Sequence, residues 1–177
     1  IGQGIVEFGR DTPLSVFYPT FLVLNAGVSN AFLSADLFNL FVGFEVLLAS
    51  SFVLITLGGT EARVRSGTIY IVISLVSSAL FLIAVAAVYA ATGTVNFAQL
   101  AQRIPELDSD VALLLQLLLL VTFSVKAAVF PLSAWLPDSY PTAPAPVTAV
   151  FAGLLTKVGV YAILRTQTLL FPGDQAK

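Results

Sequence analysis

Five apolar segments, each close to the length that crosses a lipid bilayer, run through this chain. They cover residues 17–34, 37–57, 67–91, 111–130 and 147–165. A membrane helix needs about 20 mostly apolar residues to cross a hydrocarbon core of roughly 30 Å. The segments therefore predict an all-α fold, a polytopic bundle of about five transmembrane helices, in a single domain over residues 1–177.

The composition supports this fold and excludes several classes of function. Hydrophobic residues make up 58% of the chain and charged residues 10%, whereas soluble domains are about 45–50% apolar and about 25% charged. A net charge of −2 without a basic run argues against a nucleic-acid partner. Cys, His and Met are all absent, so neither an iron–sulfur cluster nor a haem has its usual ligands. We expect no cofactor and no metal site.

The chain begins at Ile1 and contains no Met. We therefore interpret it as an internal fragment of a longer protein. Between the third and fourth spans, Asn96 and Gln99 are spaced as the cap of a helix that also carries apolar residues. The segment is too polar for the hydrocarbon core, and we predict a short helix at the membrane interface over residues 96–104.

The distribution of basic residues predicts the orientation in the membrane. Short cytoplasmic loops carry an excess of Lys and Arg. The loop with Arg63 and Arg65 is therefore predicted to be cytoplasmic, and the acidic loop with Asp108 external. Arg165, at the outer end of the fifth span, does not fit this pattern.

Two ionisable residues lie near the middle of predicted membrane helices. Glu45 is the ninth residue of segment 37–57, and Lys157 is the eleventh of segment 147–165. A charge at the centre of a single membrane helix costs several kcal/mol, and such residues usually mark an ion or proton pathway. A structural ion pair is the alternative, but it explains one acid and one base better than one acid and two lysines.

The second lysine, Lys126, precedes a proline that should interrupt its helix. Pro131 has no N–H, and its ring crowds the carbonyl of Ala127, so we predict a broken helix near Pro131. Irregular backbone at membrane depth is tolerated where it is buried in protein or lines a hydrated cavity. The pattern indicates an aqueous half-channel beside Lys126. Alternatively, Pro131 only ends the helix at the interface.

Glu45, Lys126 and Lys157 together are candidates for a proton relay. Burial weakens the hold of a lysine on its proton, and a nearby carboxylate restores it. We hypothesise that Glu45 keeps Lys126 protonated when close, and that Lys126 passes its proton towards Lys157 when Glu45 withdraws or is neutralised.

Three further residues are accessory candidates. Thr122 lies one turn before Lys126, and Tyr161 lies one turn after Lys157, so their hydroxyls lie on the lysine faces. Alternatively, these hydroxyls bond their own helix or a neighbour, as most membrane hydroxyls do. Asp138, in the Pro-rich bend, is expected at the membrane interface.

The motifs that carry these residues resemble a known family. DLFNLFVGFEVLLASSFVL at 36–54 resembles the Glu-bearing fifth helix of the proton-translocating antiporter-like subunits shared by Mrp cation/proton antiporters and respiratory complex I. Residues 125–165 resemble the lysine-bearing seventh and eighth helices of those subunits. The resemblance covers nearly the whole chain and implies helices four to eight of an expected fourteen.

Within this family, residues 58–81 and 153–172 look most like the D subunit of Mrp antiporters. Complex I subunits commonly carry a His where this chain has Ser133. The resemblance implies that Glu45 and Lys126 are the essential pair and that Lys157 is the next relay lysine.

The resemblance also implies a hetero-oligomeric complex in the bacterial plasma membrane that exchanges Na⁺ or K⁺ for protons, which makes the chain a transporter subunit rather than an enzyme. The alternatives are a proton-pumping subunit of a complex I type NADH:quinone oxidoreductase or related redox-driven complex, and a scaffold that transports nothing.

Overall fold

A computed structural model of the protein describes residues 14–57, 59–133, 135–139 and 145–172. Within these residues the fold is entirely helical. In chain order the helices are α1 (Leu14–Leu33), α2 (Leu37–Thr56), α3 (Glu61–Thr92), α4 (Phe97–Arg103), α5 (Ser109–Ala127), α6 (Leu136–Ser139), α7 (Ala145–Val150) and α8 (Thr156–Leu169). A 3₁₀ turn (Ile104–Glu106) follows α4, and a π-helical segment (Phe151–Leu155) joins α7 to α8.

Five stretches of helix are long and apolar enough to cross a membrane. They are Ser15–Leu33, Leu37–Thr56, Arg63–Thr92, Ser109–Ala127 and Val147–Leu169. The predicted all-α bundle of about five spans is confirmed, and the chain is a multi-pass membrane protein.

The third and fourth membrane spans, α3 and α5, each differ from their predicted segments by several residues at one end. α3 begins at Glu61, six residues before the expected start, because Thr60 caps it by accepting a hydrogen bond from the Arg63 amide at 3.4 Å. α5 ends at Ala127, three residues before the end of segment 111–130.

Helices α1 and α2 form a tight antiparallel pair. A Cβ atom on Gly27 would lie 3.0 Å from the amide nitrogen of Leu47, and one on Gly43 would lie 3.0 Å from that of Ala31. Small residues at these positions let the two backbones approach closely, which compensates for the weak driving force between apolar helices in lipid.

The loops at the α1–α2 reversal and before α4 pair with each other. The Leu37 amide donates to the Val95 carbonyl at 2.9 Å, and the Phe97 amide donates to the Ala35 carbonyl at 3.0 Å. Asn96 caps α4, because its side chain accepts from two amides of the first turn. This pairing holds the short helix α4 against the end of the bundle.

An aromatic cluster fills the space between α2, α3 and α5. The ring centroid of Phe81 lies 4.9 Å from that of Phe123 and 5.9 Å from that of Phe44. All three side chains are buried. This cluster forms a buried apolar centre between the three helices.

Candidate functional site

Lys126 lies in the last turn of α5 and points towards the middle of α3. Its Nζ atom donates a hydrogen bond to the Oγ atom of Ser78 at 3.0 Å and lies 5.1 Å from the ring centroid of Phe44. Ser78 is the sixteenth residue of the 30-residue span Arg63–Thr92. The ammonium group therefore lies near the middle of the longest membrane helix.

The structure brings Glu45 towards this lysine. Glu45 follows Phe44 in α2, and the ring centroid of Phe44 lies 5.1 Å from the Nζ atom of Lys126. Its Oε1 atom is buried and has no hydrogen-bond partner within the described part of the chain. Glu45 and Lys126, which are 81 positions apart in the sequence, are therefore brought near each other by the packing of Phe44 against the lysine.

The predicted break near Pro131 is confirmed, but its geometry differs from the expectation. The helix ends at Ala127, and Ala128 adopts a left-handed conformation with φ 54°. The Ala128 amide donates to the Val125 carbonyl at 3.2 Å, and the Val129 amide donates to the Ser124 carbonyl at 2.9 Å. This is the Schellman pattern, so the backbone turns away three residues before Pro131.

The chain beyond the break folds back over the site. The indole Nε1 atom of Trp135 donates to the Val125 carbonyl at 3.3 Å. The Trp135 ring centroid lies 5.6 Å from that of Tyr70 on α3. Trp135 is buried, and it covers the side of the site that faces the end of α5.

A small cavity of about 40 Å³ adjoins Lys126. Its polar lining comes from Lys126, Tyr70, Ser74 and Ser77, and apolar residues with Trp135 complete its walls. A cavity needs about 10–15 Å³ to hold one water molecule. The space is therefore sufficient for a small number of waters next to the lysine.

The structure does not join Lys157 to this site. The side chain of Lys157 is exposed on the surface of the described bundle. Its Nζ atom donates to the Ala152 carbonyl at 2.9 Å and to the Thr156 hydroxyl at 3.3 Å. Ala152 belongs to the π-helical segment, and such segments are frequent at functional sites.

The accessory hydroxyls make structural hydrogen bonds. Thr122 is buried and donates to the Leu118 carbonyl of its own helix at 2.8 Å. Tyr161 donates to the Phe32 carbonyl on α1 at 2.9 Å and accepts from Arg165 at 3.1 Å. Among the described residues, neither hydroxyl bonds a lysine. Asp138 lies in α6, and its side chain is outside the described part of the structure.

Sequence reasoning missed the polar residues that α3 contributes. Tyr70, Ser74, Ser77 and Ser78 follow one another at helical spacing in a span without charge, so they share one face. That spacing was a usable signal, but serines are common in membrane helices. Only the structure shows that this face meets Lys126.

Comparison with known proteins identifies similar chains. Residues 34–176 match the family model described as NADH:quinone oxidoreductase/Mrp antiporter, TM. The chain is 50% identical, over 159 residues, to the D subunit of the Na(+)/H(+) antiporter of Alkalihalophilus pseudofirmus, a match that covers 89% of this chain and 32% of the relative. It is 47% identical, over 158 residues, to the D subunit of a probable K(+)/H(+) antiporter of Rhizobium meliloti. That match covers 88% of this chain and 29% of the relative.

Two solved structures share the fold. A chain of the Mrp complex from Dietzia sp. superposes with a TM-score of 0.82 at 40% identity, over 89% of this chain and 30% of that one. A chain of the membrane-bound sulfane sulfur reductase, an archaeal respiratory membrane complex, superposes with a TM-score of 0.88 at 33% identity. The superposition covers 94% of this chain and 34% of that one. The present chain spans about a third of the length of these relatives.

Proposed function

Since this chain belongs to the NADH:quinone oxidoreductase/Mrp antiporter transmembrane family, we propose that it is a membrane subunit of a multi-subunit monovalent cation/proton antiporter. In this proposal Glu45 and Lys126 conduct protons. The observation that carries this proposal is the hydrogen bond that holds the Lys126 ammonium to Ser78 at mid-helix. The Oε1 atom of Glu45, on the neighbouring α2, is buried and has no hydrogen-bond partner among the described residues.

The geometry at Glu45 favours a proton pathway over a structural ion pair. A buried ion pair is stable only when further hydrogen bonds satisfy its remaining polar atoms. The Oε1 atom of Glu45 has no such bond within the described residues. A carboxylate oxygen left in this way can accept a proton, and neutralising Glu45 would free Lys126 to release its own.

The names of the relatives suggest the transported ions and the setting. The similar proteins are named as subunits of Na(+)/H(+) and K(+)/H(+) antiporters. By analogy, this chain would exchange Na⁺ or K⁺ for protons in a bacterial plasma membrane, together with other membrane subunits and surrounded by lipid. It would act as a transporter subunit and not as an enzyme, and Lys157 would be the next relay lysine.

A second candidate function rests on the respiratory relative. The sulfane sulfur reductase chain superposes with a TM-score of 0.88, against 0.82 for the Mrp chain. The same pair of residues could therefore pump protons in a complex I type NADH:quinone oxidoreductase or a related redox-driven complex. The neighbouring genes distinguish the two: small antiporter membrane subunits favour the first function, whereas flavin and iron–sulfur subunits favour the second.

The test uses the complete complex in everted membrane vesicles, with the pH gradient followed by a fluorescent amine. Addition of Na⁺ or K⁺ should dissipate the gradient in the native complex. Lys126→Ala and Glu45→Gln should each slow this response by about 100-fold, because proton transfer by a positioned group typically contributes at least that factor.

The matched controls are Arg65→Gln and Glu61→Gln, which remove exposed charges near the start of α3. They should leave the response unchanged. Normal antiport in both Lys126→Ala and Glu45→Gln, with normal assembly of the complex, would refute the proposed function.

A further inference from the structure

Glu45 lies on the face of α2 that packs against α3. Phe41 stands four residues before it and Phe52 seven residues after it, so the three side chains share one helical face. The ring centroid of Phe41 lies 5.6 Å from that of Phe81 on α3. Further along, a Cβ atom on Gly67 of α3 would lie 3.6 Å from the Cε2 atom of Phe52. Glu45 therefore faces α3 between Phe81 and Gly67.

Three serines of α3 occupy the interval that Glu45 faces. Ser78, Ser77 and Ser74 precede Phe81 by three, four and seven residues, which is the spacing of one helical face. Ser77 and Ser78 are buried. The packing of α2 against α3 therefore places Glu45 at the level of these serines.

The hydroxyls of Ser77 and Ser78 are not bonded to their own helix. Ser and Thr side chains in helices often donate to a carbonyl one turn earlier, as Thr122 and Thr166 do here. Ser78 instead accepts from Lys126, and its own proton is donated to no other described group. The Oγ atom of Ser77 is buried without a partner in the same part of the chain. Two buried hydroxyl protons are therefore available on this face of α3.

The carboxyl of Glu45 is an acceptor that lacks a donor. Its Oε1 atom is buried and makes no hydrogen bond with the residues that the structure describes. A buried polar atom without a partner is costly, so a hydrogen bond from a serine hydroxyl would stabilise this oxygen. The Glu45 side chain has several rotatable bonds. A change of rotamer therefore gives Oε1 access to the serines that it faces.

We propose that Ser78 is the proton bridge between Lys126 and Glu45. This inference rests on the proposed function. The Lys126 ammonium gives a proton to the Ser78 oxygen while the original hydroxyl proton of Ser78 moves to Oε1 of Glu45. One N–H and one O–H bond break as two O–H bonds form. The serine is unchanged, the lysine and the glutamic acid end neutral, and no further reactant is needed.

The rotamer of Glu45 makes or breaks this bridge. In the arrangement described here, Ser78 is bonded to Lys126 and Oε1 of Glu45 is unbonded, so proton transfer is interrupted. Rotation of the carboxyl onto the Ser78 hydroxyl completes the chain from ammonium to carboxylate. Reversal of both proton movements restores the charged pair.

The test is Ser78→Ala in the complete complex, measured by the same vesicle assay. We expect the antiport rate per assembled complex to fall at least about tenfold, because a hydrogen bond to a charged group is worth about that factor or more. The cation concentration for half-maximal response should be unchanged. The solvent deuterium isotope effect should rise, because transfer between Lys126 and Glu45 becomes rate-limiting. Ser78→Thr, which keeps the hydroxyl, should restore most of the rate and the native isotope effect.

Ser66→Ala is the matched control, since it removes another buried serine hydroxyl of α3. It should change neither the rate nor the isotope effect. If Ser78→Ala does not assemble, Ser78→Cys replaces it, because a thiol is similar in size and only a weak donor and acceptor. The cysteine variant should also be slow.

Two results would overturn the inference. The first is a native rate and isotope effect in Ser78→Ala, or in Ser78→Cys where it is used, because Ser78 would then be only a structural hydrogen-bond partner. The second is equal slowing in Ser78→Ala and Ser78→Thr with normal assembly of both, because the loss would then not depend on the hydroxyl.

Lys126→Ala and Glu45→Gln, measured in parallel, separate this inference from the proposed function. Loss of antiport in both, with native behaviour of Ser78→Ala, refutes the bridge alone. Retention of antiport in both Lys126→Ala and Glu45→Gln refutes the proposed function itself.

Discussion

Gly159 of α8 packs directly against Ala127 at the end of α5. A Cβ atom on Gly159 would lie 2.6 Å from the amide nitrogen and 2.8 Å from the Cα atom of Ala127. Ala127 follows Lys126 in the chain and is the last residue of its helix. The close contact between α5 and α8 therefore fixes the position of the helix end that carries the lysine.

Gly159→Ala should destabilise the protein and displace Lys126. Real Cβ atoms do not approach backbone this closely, so one of the two helices must shift. Overpacking of this kind costs about 1–3 kcal/mol. We expect a lower melting temperature of the purified complex and a lower antiport rate per assembled complex.

Gly153→Ala is the matched control for this substitution. A Cβ atom on Gly153 would meet nothing within 4 Å in the described structure. The control should therefore retain native melting and transport. Equal behaviour of the two variants would contradict the role assigned to the contact with Ala127.

The sequence predicted the number of spans because each long helix must be apolar to lie in lipid. It predicted the ends of these helices less well. The end of α5 depends on the left-handed conformation of Ala128, and alanine rarely adopts that conformation. The signal in the sequence was Pro131, three residues further on. It indicated that the helix breaks but not the residue at which the break begins.

The candidate site was predictable in its charges and not in its contacts. Glu45 and Lys126 were recognisable because buried charges in membrane helices are rare. Ser78 carries no such signal, and its bond to Lys126 arises from the packing of α3 against α5. The exposure of Lys157 was equally invisible, because its position at mid-span says nothing about which face of the bundle it occupies.

Ala128→Gly should stabilise the break. A left-handed conformation costs a non-glycine residue about 1–2 kcal/mol, whereas glycine adopts it freely. Part of this gain is lost to the greater entropy of the unfolded chain. We expect a net gain of about 0.5–1 kcal/mol, seen as a higher melting temperature with unchanged antiport.

Ala79→Gly provides the comparison for that variant, since Ala79 is exposed within α3. There glycine should destabilise the helix by about 1 kcal/mol. If both glycine substitutions lowered the melting temperature equally, the left-handed turn at Ala128 would be disproved.

Tyr161→Phe should affect stability and leave transport intact. The Tyr161 hydroxyl joins α8 to the Phe32 carbonyl of α1 and accepts from Arg165. Its removal should cost about 1 kcal/mol, a typical net value for one hydrogen bond. Antiport per assembled complex should equal that of the native protein. A normal melting temperature combined with slow antiport would instead indicate that Tyr161 takes part in the proton relay.

Lys157 can be tested by substitutions that separate its charge from its ability to release a proton. Its side chain is exposed on the described bundle and bonds only groups of its own helical segment, Ala152 and Thr156. Lys157→Ala should therefore assemble normally. If Lys157 relays protons, Lys157→Arg should be as slow in antiport as Lys157→Ala, because arginine keeps its proton at any physiological pH. Full antiport in Lys157→Arg with loss in Lys157→Ala would show that only the positive charge is needed.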